Sequence, residues 1–273
     1  MQPARRGVIR SASLAARLPL VPGYDALYAR GFHPRRGDLV MVFGRSGAGK
    51  SSVVTDMLTR MSGTSGLYFS ADTDLFTLRM RMLGSLTGEL ISRIEEEIVD
   101  VGEDYYTGVL GSVDVALVGD GNPSIEDIDQ EIDAYVEMYD QFPTWLVIDN
   151  LVNVRADLDG ADGEKEILSQ LHRVAHETGI TVFVLHHANS SGVKTASQVP
   201  RLYDVQNQQH KYPEYILGVA INEEAVPVPE MQVAVVKARR DKGDPDAKNP
   251  AVLAAHLDKC QFGAVKRSQE WWQ

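Results

Sequence analysis

The segment Gly44-Arg45-Ser46-Gly47-Ala48-Gly49-Lys50-Ser51 constrains this chain more than any other. Its spacing is G-x-x-x-x-G-K-S, between the apolar run Leu39 to Phe43 and the helix-like stretch Ser52 to Leu58. A glycine-rich turn between a strand and a helix lets successive backbone N–H groups converge on an anion. The helix adds its positive N-terminal end. The segment therefore reads as a nucleotide-binding loop, with Gly44, Arg45, Ser46, Gly47, Ala48, Gly49, Lys50, Ser51 and Ser52 as candidate contacts. In this pattern Lys50 reaches the β- and γ-phosphates of a nucleotide such as ATP, and the Ser51 hydroxyl ligates Mg²⁺.

The rest of the chain alternates strands and helices. Strands are expected at 66–70, 113–118, 143–150, 180–185, 215–220, 231–236 and 252–257, where β-branched and other apolar residues run together. Helices are expected over 23–32, 75–100, 124–139 and 164–178, the last closed by Gly179. The polar stretches 155–163 and 188–213 read as loops, and a loop as long as the second is usually functional or disordered. No repeat or linker divides the chain. One ATPase domain over 21–259 is expected, with an N-terminal arm or linker over 1–20 and a C-terminal tail over 260–273.

Charge narrows the partners. The net charge of −11 excludes a globally basic nucleic-acid binder, yet residues 1–50 carry nine Lys/Arg against two Asp/Glu. Residues 89–140 carry sixteen Asp/Glu against one Arg, so the balance allows a local basic surface on an acidic body. No apolar run approaches the roughly 18 residues of a membrane span, so no membrane partner is expected. Cys260 stands alone, which fits a reducing cytoplasm rather than a disulfide framework.

Several strand ends carry candidate chemistry. Asp149 closes the apolar strand Trp145 to Ile148 and fits a carboxylate that holds Mg²⁺. Asp72 follows the second strand, read as lying beside the phosphate-loop strand, and is preferred over Asp74 for orienting the attacking water. Both could instead cap the next helix. His187, or His186, at the end of the 180–185 strand could hydrogen-bond the γ-phosphate, or could be structural. The basic turn Lys237-Ala238-Arg239-Arg240-Asp241-Lys242-Gly243 could insert into a neighbour's site or could be a solvated hairpin.

This order of motifs resembles the RecA-like ATPase domain of the DnaB-type hexameric replicative helicases of bacteria and many phages. The resemblance runs from Pro22-Gly23-Tyr24-Asp25 through Gly44 to Ser52 and Phe69-Ser70-Ala71-Asp72, then Arg81. It continues through Val147-Ile148-Asp149-Asn150-Leu151, Val184-Leu185-His186-His187 and Lys237-Ala238-Arg239. It implies an α/β fold with a mostly parallel central sheet flanked by helices. It also implies a homohexameric ring with ATP at the interfaces, single-stranded DNA in the pore and replisome partners, in the cytoplasm of an infected host. Lys237 and Arg239 would then reach across the interface. Lys194, Arg201 and Lys211 would track DNA, with Tyr203 and Tyr212 as candidate stacking platforms. The chain departs from the family where Asp72 replaces the usual catalytic Glu and His187 the sensing Gln. No primase-binding N-terminal domain is expected ahead of the ATPase module. Two other jobs fit the same fold, a RecA-type recombinase filament and an ATP-gated regulatory or assembly ATPase with little turnover. A small-molecule kinase would leave Lys237, Arg239 and the long polar loop unexplained.

Overall fold

The computed structural model describes residues 16–102 and 104–265. Most of the expected arm, and Lys266, Arg267, Trp271 and Trp272 of the expected tail, lie outside the described residues.

Among the described residues, nine strands form one sheet in the order β3-β2-β4-β5-β1-β6-β7-β8-β9. They are β1 (Leu39–Gly44), β2 (Ser65–Ser70), β3 (Asp114–Val118), β4 (Trp145–Asp149), β5 (Thr181–His187), β6 (Tyr215–Asn222), β7 (Glu230–Ala238), β8 (Ala251–His256) and β9 (Gln261–Ala264). The first six in spatial order run parallel, and β6 to β9 are antiparallel. The expected mostly parallel sheet is present. One neighbour relation is corrected: β1 lies between β5 and β6, and β2 sits away from it, between β3 and β4. Hydrophobic runs mark buried strands but carry no information on spatial order.

The helices are α1 (Asp25–Tyr28), α2 (Lys50–Thr59), α3 (Leu75–Thr87), α4 (Ile91–Val101), α5 (Asp104–Leu110), α6 (Ile125–Tyr139) and α7 (Gly160–Thr178). Every residue of β1 is buried, as expected of a parallel strand covered on both faces. Its side chains divide by alternation. Val40 and Val42 join a core with Met57 and Leu58 of α2 and Leu78 and Met82 of α3. Leu39, Met41 and Phe43 join a second core with Ile128 and Ile132 of α6 and Leu168 and Leu171 of α7. At the edge of the first core, a Cβ on Gly66 would stand 2.2 Å from the Trp145 ring, so glycine is what admits the tryptophan across β2.

The expected helix over 75–100 is two helices. Gly88 adopts φ +74° and ends α3, although the apolar periodicity continues beyond it. α7 begins at Gly160 rather than at Glu164, which shortens the expected loop. Residues 261–264 are a strand rather than the start of a tail. The Phe262 amide donates to the buried Asp56 carboxylate (3.1 Å), which also accepts from Tyr24 (2.8 Å) and Ser85 (2.6 Å). That carboxylate ties α2, α3 and β9 to the turn that leads into α1. The final residues of the expected arm also pack on the body, since Arg17 bridges Arg35 and Leu18 is buried. Among the described residues no helix is long and apolar enough to cross a membrane.

Candidate active site

The carboxyl ends of β1, β2, β4 and β5 surround a cavity of about 500 Å³. Its floor is the phosphate loop. Gly47 and Gly49 take φ of +78° and +77°, a conformation that favours glycine, and α2 starts directly after Gly49 with no side-chain cap. The amides of its first turn therefore lack intrahelical acceptors and are available to an anion.

Lys50 is buried, and its Nζ donates to the carbonyls of Gly44 (3.3 Å) and Arg45 (3.2 Å). Burial pushes its pKa below the usual lysine value, against the opposing pull of Asp149 and Asp72. Asp149 is 3% exposed and accepts from the Tyr68 hydroxyl at 3.0 Å. Burial raises its carboxyl above the usual range, while hydrogen bonds from Ser51 and Tyr68 pull it back. A buried carboxylate joined to a serine hydroxyl is a hard-oxygen donor set, which suits Mg²⁺.

Asp72 lines the same cavity and accepts from the Asn150 side-chain amide. Asp74 does not line it. Its carboxylate caps α3, taking the Thr77 amide (2.9 Å) and hydroxyl (2.7 Å). The two acids are thus separated by geometry. His187 pairs in register with Gly44 and lines the cavity, and burial followed by Lys50 lowers its pKa. His186 points away: fully buried, its Nε2 contacts the Gln206 carbonyl at 3.2 Å, and burial lowers its pKa to about 4. Arg45 leaves the loop sideways, donating to the Val193 carbonyl at 2.7 Å.

The structure does not bring the remaining predicted residues to this cavity. Lys237 is level with Ile216, which pairs with Met41, so the basic turn lies towards the opposite end of the sheet. There Lys237 Nζ donates to the His210 carbonyl at 2.6 Å, and Arg239 pairs with Glu214 at 2.9 Å. The three predicted DNA cations are dispersed. Lys194 follows the Val193 that Arg45 contacts, Arg201 pairs with Asp204 at 3.1 Å, and Lys211 lies 5.5 Å from the Tyr212 ring near Lys237. Tyr203 is 70% exposed, whereas Tyr212 is partly covered. The polar stretch carrying them is anchored by buried Val193, Val205 and Gln209.

Sequence reasoning missed Tyr68 and Asn150 as supports of Asp149 and Asp72. Each acts on a residue brought close only by strand pairing, as with Ser70 opposite Asp149. It also missed Ile91, Ile221, Glu223, Leu257 and Cys260, which line the same cavity.

Comparison with known proteins agrees with this architecture. An ATPase domain solved on its own superposes with a TM-score of 0.78 at 15% identity, covering 96% of this chain and 98% of that one. A DnaB-like replicative helicase superposes with a TM-score of 0.77 at 14% identity, covering 96% of this chain and 66% of its own. A KaiC-like protein from Pyrococcus horikoshii gives 0.58 at 16% identity, covering 91% and 98%. The fold is the one shared with the ATPase domains of these helicase structures. In sequence, residues 26–193 match the AAA domain family. The Gene 65 protein of Mycobacterium phage L5 is 32% identical over 249 residues, covering 89% of this chain and 92% of the relative. That of Mycobacterium phage D29 is 30% identical over 229 residues, covering 82% and 98%. The chain belongs to the AAA domain family and is a relative of these phage proteins.

Proposed function

We propose that the chain is an ATP-dependent motor that translocates on single-stranded DNA, acting as a ring of identical subunits in the replication of a phage genome in the host cytoplasm. The observation that carries this reading is the distribution of its charged groups over the two ends of the sheet. Lys50, Ser51, Asp72, Asp149 and His187 converge on one cavity, while Lys237 and Arg239 sit at the far end, where they have no triphosphate of their own to contact. A site divided this way is completed by a neighbouring subunit.

In this reading the backbone of Gly44 to Ser52 cradles the phosphates and Lys50 turns from its loop carbonyls to the β- and γ-phosphates. Ser51 and Asp149 would hold Mg²⁺, which when bound neutralises phosphate charge. Asp72, steadied by Asn150, orients the attacking water. His187 donates to the γ-phosphate and reports its presence to the stretch that follows, where Lys194, Arg201 and Lys211 contact DNA phosphates. Lys237 and Arg239 stabilise charge developing in the neighbour's site. The working unit is the ATPase domain over 21–259, extended by β9.

One observation favours a slower enzyme, an ATP-gated assembly protein. The candidate catalytic acid is an aspartate whose carboxylate is already engaged by Asn150. ATP hydrolysis measured with and without single-stranded DNA separates the two readings. Stimulation by DNA that is abolished in Lys50→Ala supports the motor. Hydrolysis indifferent to DNA overturns it in favour of the gated protein.

A further inference from the structure

We infer that Glu214 is the positioning residue for Arg239, so that a buried carboxylate of one subunit governs turnover in the site of the next. The inference rests on the cross-interface role proposed above and adds to it the group that aims the arginine.

Arginine carries a long side chain with many rotamers, and a guanidinium acts on phosphate only when held in one orientation. Arg239 is half-exposed, with 49% of its side chain accessible, so packing alone does not fix it. Glu214 does. It is 2% exposed and grips Arg239 twice: its carbonyl accepts the Arg239 amide at 2.8 Å, and its Oε1 accepts from Nη1 at 2.9 Å. The carboxylate is itself immobilised. Oε2 accepts the amide of Leu39, the first residue of β1, at 2.9 Å, and Oε1 contacts His172 Nε2 at 3.1 Å. A rigid anchor at the base of the phosphate-loop strand therefore holds one edge of the guanidinium. Of its five donors, those not turned to Glu214 or to the Tyr212 carbonyl (3.5 Å) remain for an oxyanion across the interface. Lys237 is held by the same segment, through the carbonyls of His210 (2.6 Å) and Lys211 (3.2 Å). Residues 210–214 thus aim both cations.

The bland reading, a buried acid satisfied by whichever donors surround it, predicts something different. Glu214→Gln keeps the volume and an acceptor for Leu39 but loses the charge facing Arg239. In the full-length, assembled protein on single-stranded DNA, kcat for ATP is expected to fall about 10- to 100-fold. KM should be unchanged, because the subunit's own phosphate loop is at the other end of the sheet. In an Arg239→Ala background the same substitution should have no further effect, the signature of one residue acting through another. Mixing Glu214→Gln subunits with Lys50→Ala subunits should restore turnover above either alone, since some interfaces then pair an intact loop with an intact arginine.

Wild-type kcat in Glu214→Gln, or losses that add to those of Arg239→Ala, would overturn the inference. So would a Gln variant of lowered Tm beside a fully active Glu214→Asp variant, which would show packing alone. Wild-type turnover in Arg239→Ala has a different meaning, since it sinks the cross-interface reading itself and this inference with it.

Discussion

At the carboxyl ends of β1, β4 and β5, Lys50 and Asp149 are buried around a cavity, Lys50 on the carbonyls of its own loop and Asp149 on the hydroxyls of Ser51 and Tyr68. At the opposite end, Lys237, Arg239 and Arg240 are matched by acceptors of their own chain, Arg240 meeting Asp38 through both carboxylate oxygens at 2.7 Å. Burial pushes Lys50 down and Asp149 up, so each is held in a state that an incoming charged ligand would relieve. The far end has its compensation built in, which keeps exposed cations ordered. One end is prepared to receive charge and the other to present it.

Four measurements would break or sharpen this contrast. The largest effect is expected from Arg239→Ala, a loss of about 10³–10⁵ in steady-state hydrolysis on DNA, with nucleotide binding retained. Normal turnover would mean that the far end presents its charge to nothing. Next, Lys50→Ala should lower turnover by about 10²–10³ and weaken binding of a fluorescent ATP analogue. An effect on turnover alone would show that the loop amides carry ground-state binding without the lysine.

The third measurement concerns stability. His186 is buried neutral with a pKa of about 4, below its value in the unfolded chain. The unfolded chain therefore binds more protons between those two values, and stability falls as pH drops through that window. Urea unfolding should show about 2 kcal/mol less stability at pH 5 than at pH 7 from this group alone, a difference that His186→Asn should remove. An unchanged slope in the variant would place the pH dependence elsewhere. The smallest effect is expected from Asp74→Ala, a slightly lowered Tm with hydrolysis intact. A large fall in hydrolysis would contradict the separation of Asp74 from Asp72.

What could be read from sequence follows the range of the physics. The phosphate loop was legible because the positive φ at Gly47 and Gly49, and the strand and helix around them, are local requirements. The buried strands were legible because parallel strands are apolar throughout. The break at Gly88 was hidden, since apolar residues recur at helical spacing on both sides of it. β9 is four residues long, and its order comes from β8 and from the Asp56 carboxylate, which is distant in sequence. Gly160 and Gly163 look like loop residues, yet both lie in α7, where a Cβ on Gly163 would strike the Leu158 carbonyl at 2.0 Å. In the site, Asp72, Asp149 and His187 could be named from strand ends. Tyr68, Asn150 and Glu214 could not, because each is defined by a partner on another strand or segment.

Cys260 is the chain's only cysteine; it is buried in the cavity wall and donates to the Ser52 carbonyl at 3.5 Å. Burial pushes its thiol up to about 12, and it is the thiolate that reacts with electrophiles. At neutral pH an alkylating reagent can therefore capture this sulfur only when the wall opens. The labelling rate becomes a clock for that opening, read on the unaltered protein, and a nucleotide lodged against the wall should slow it.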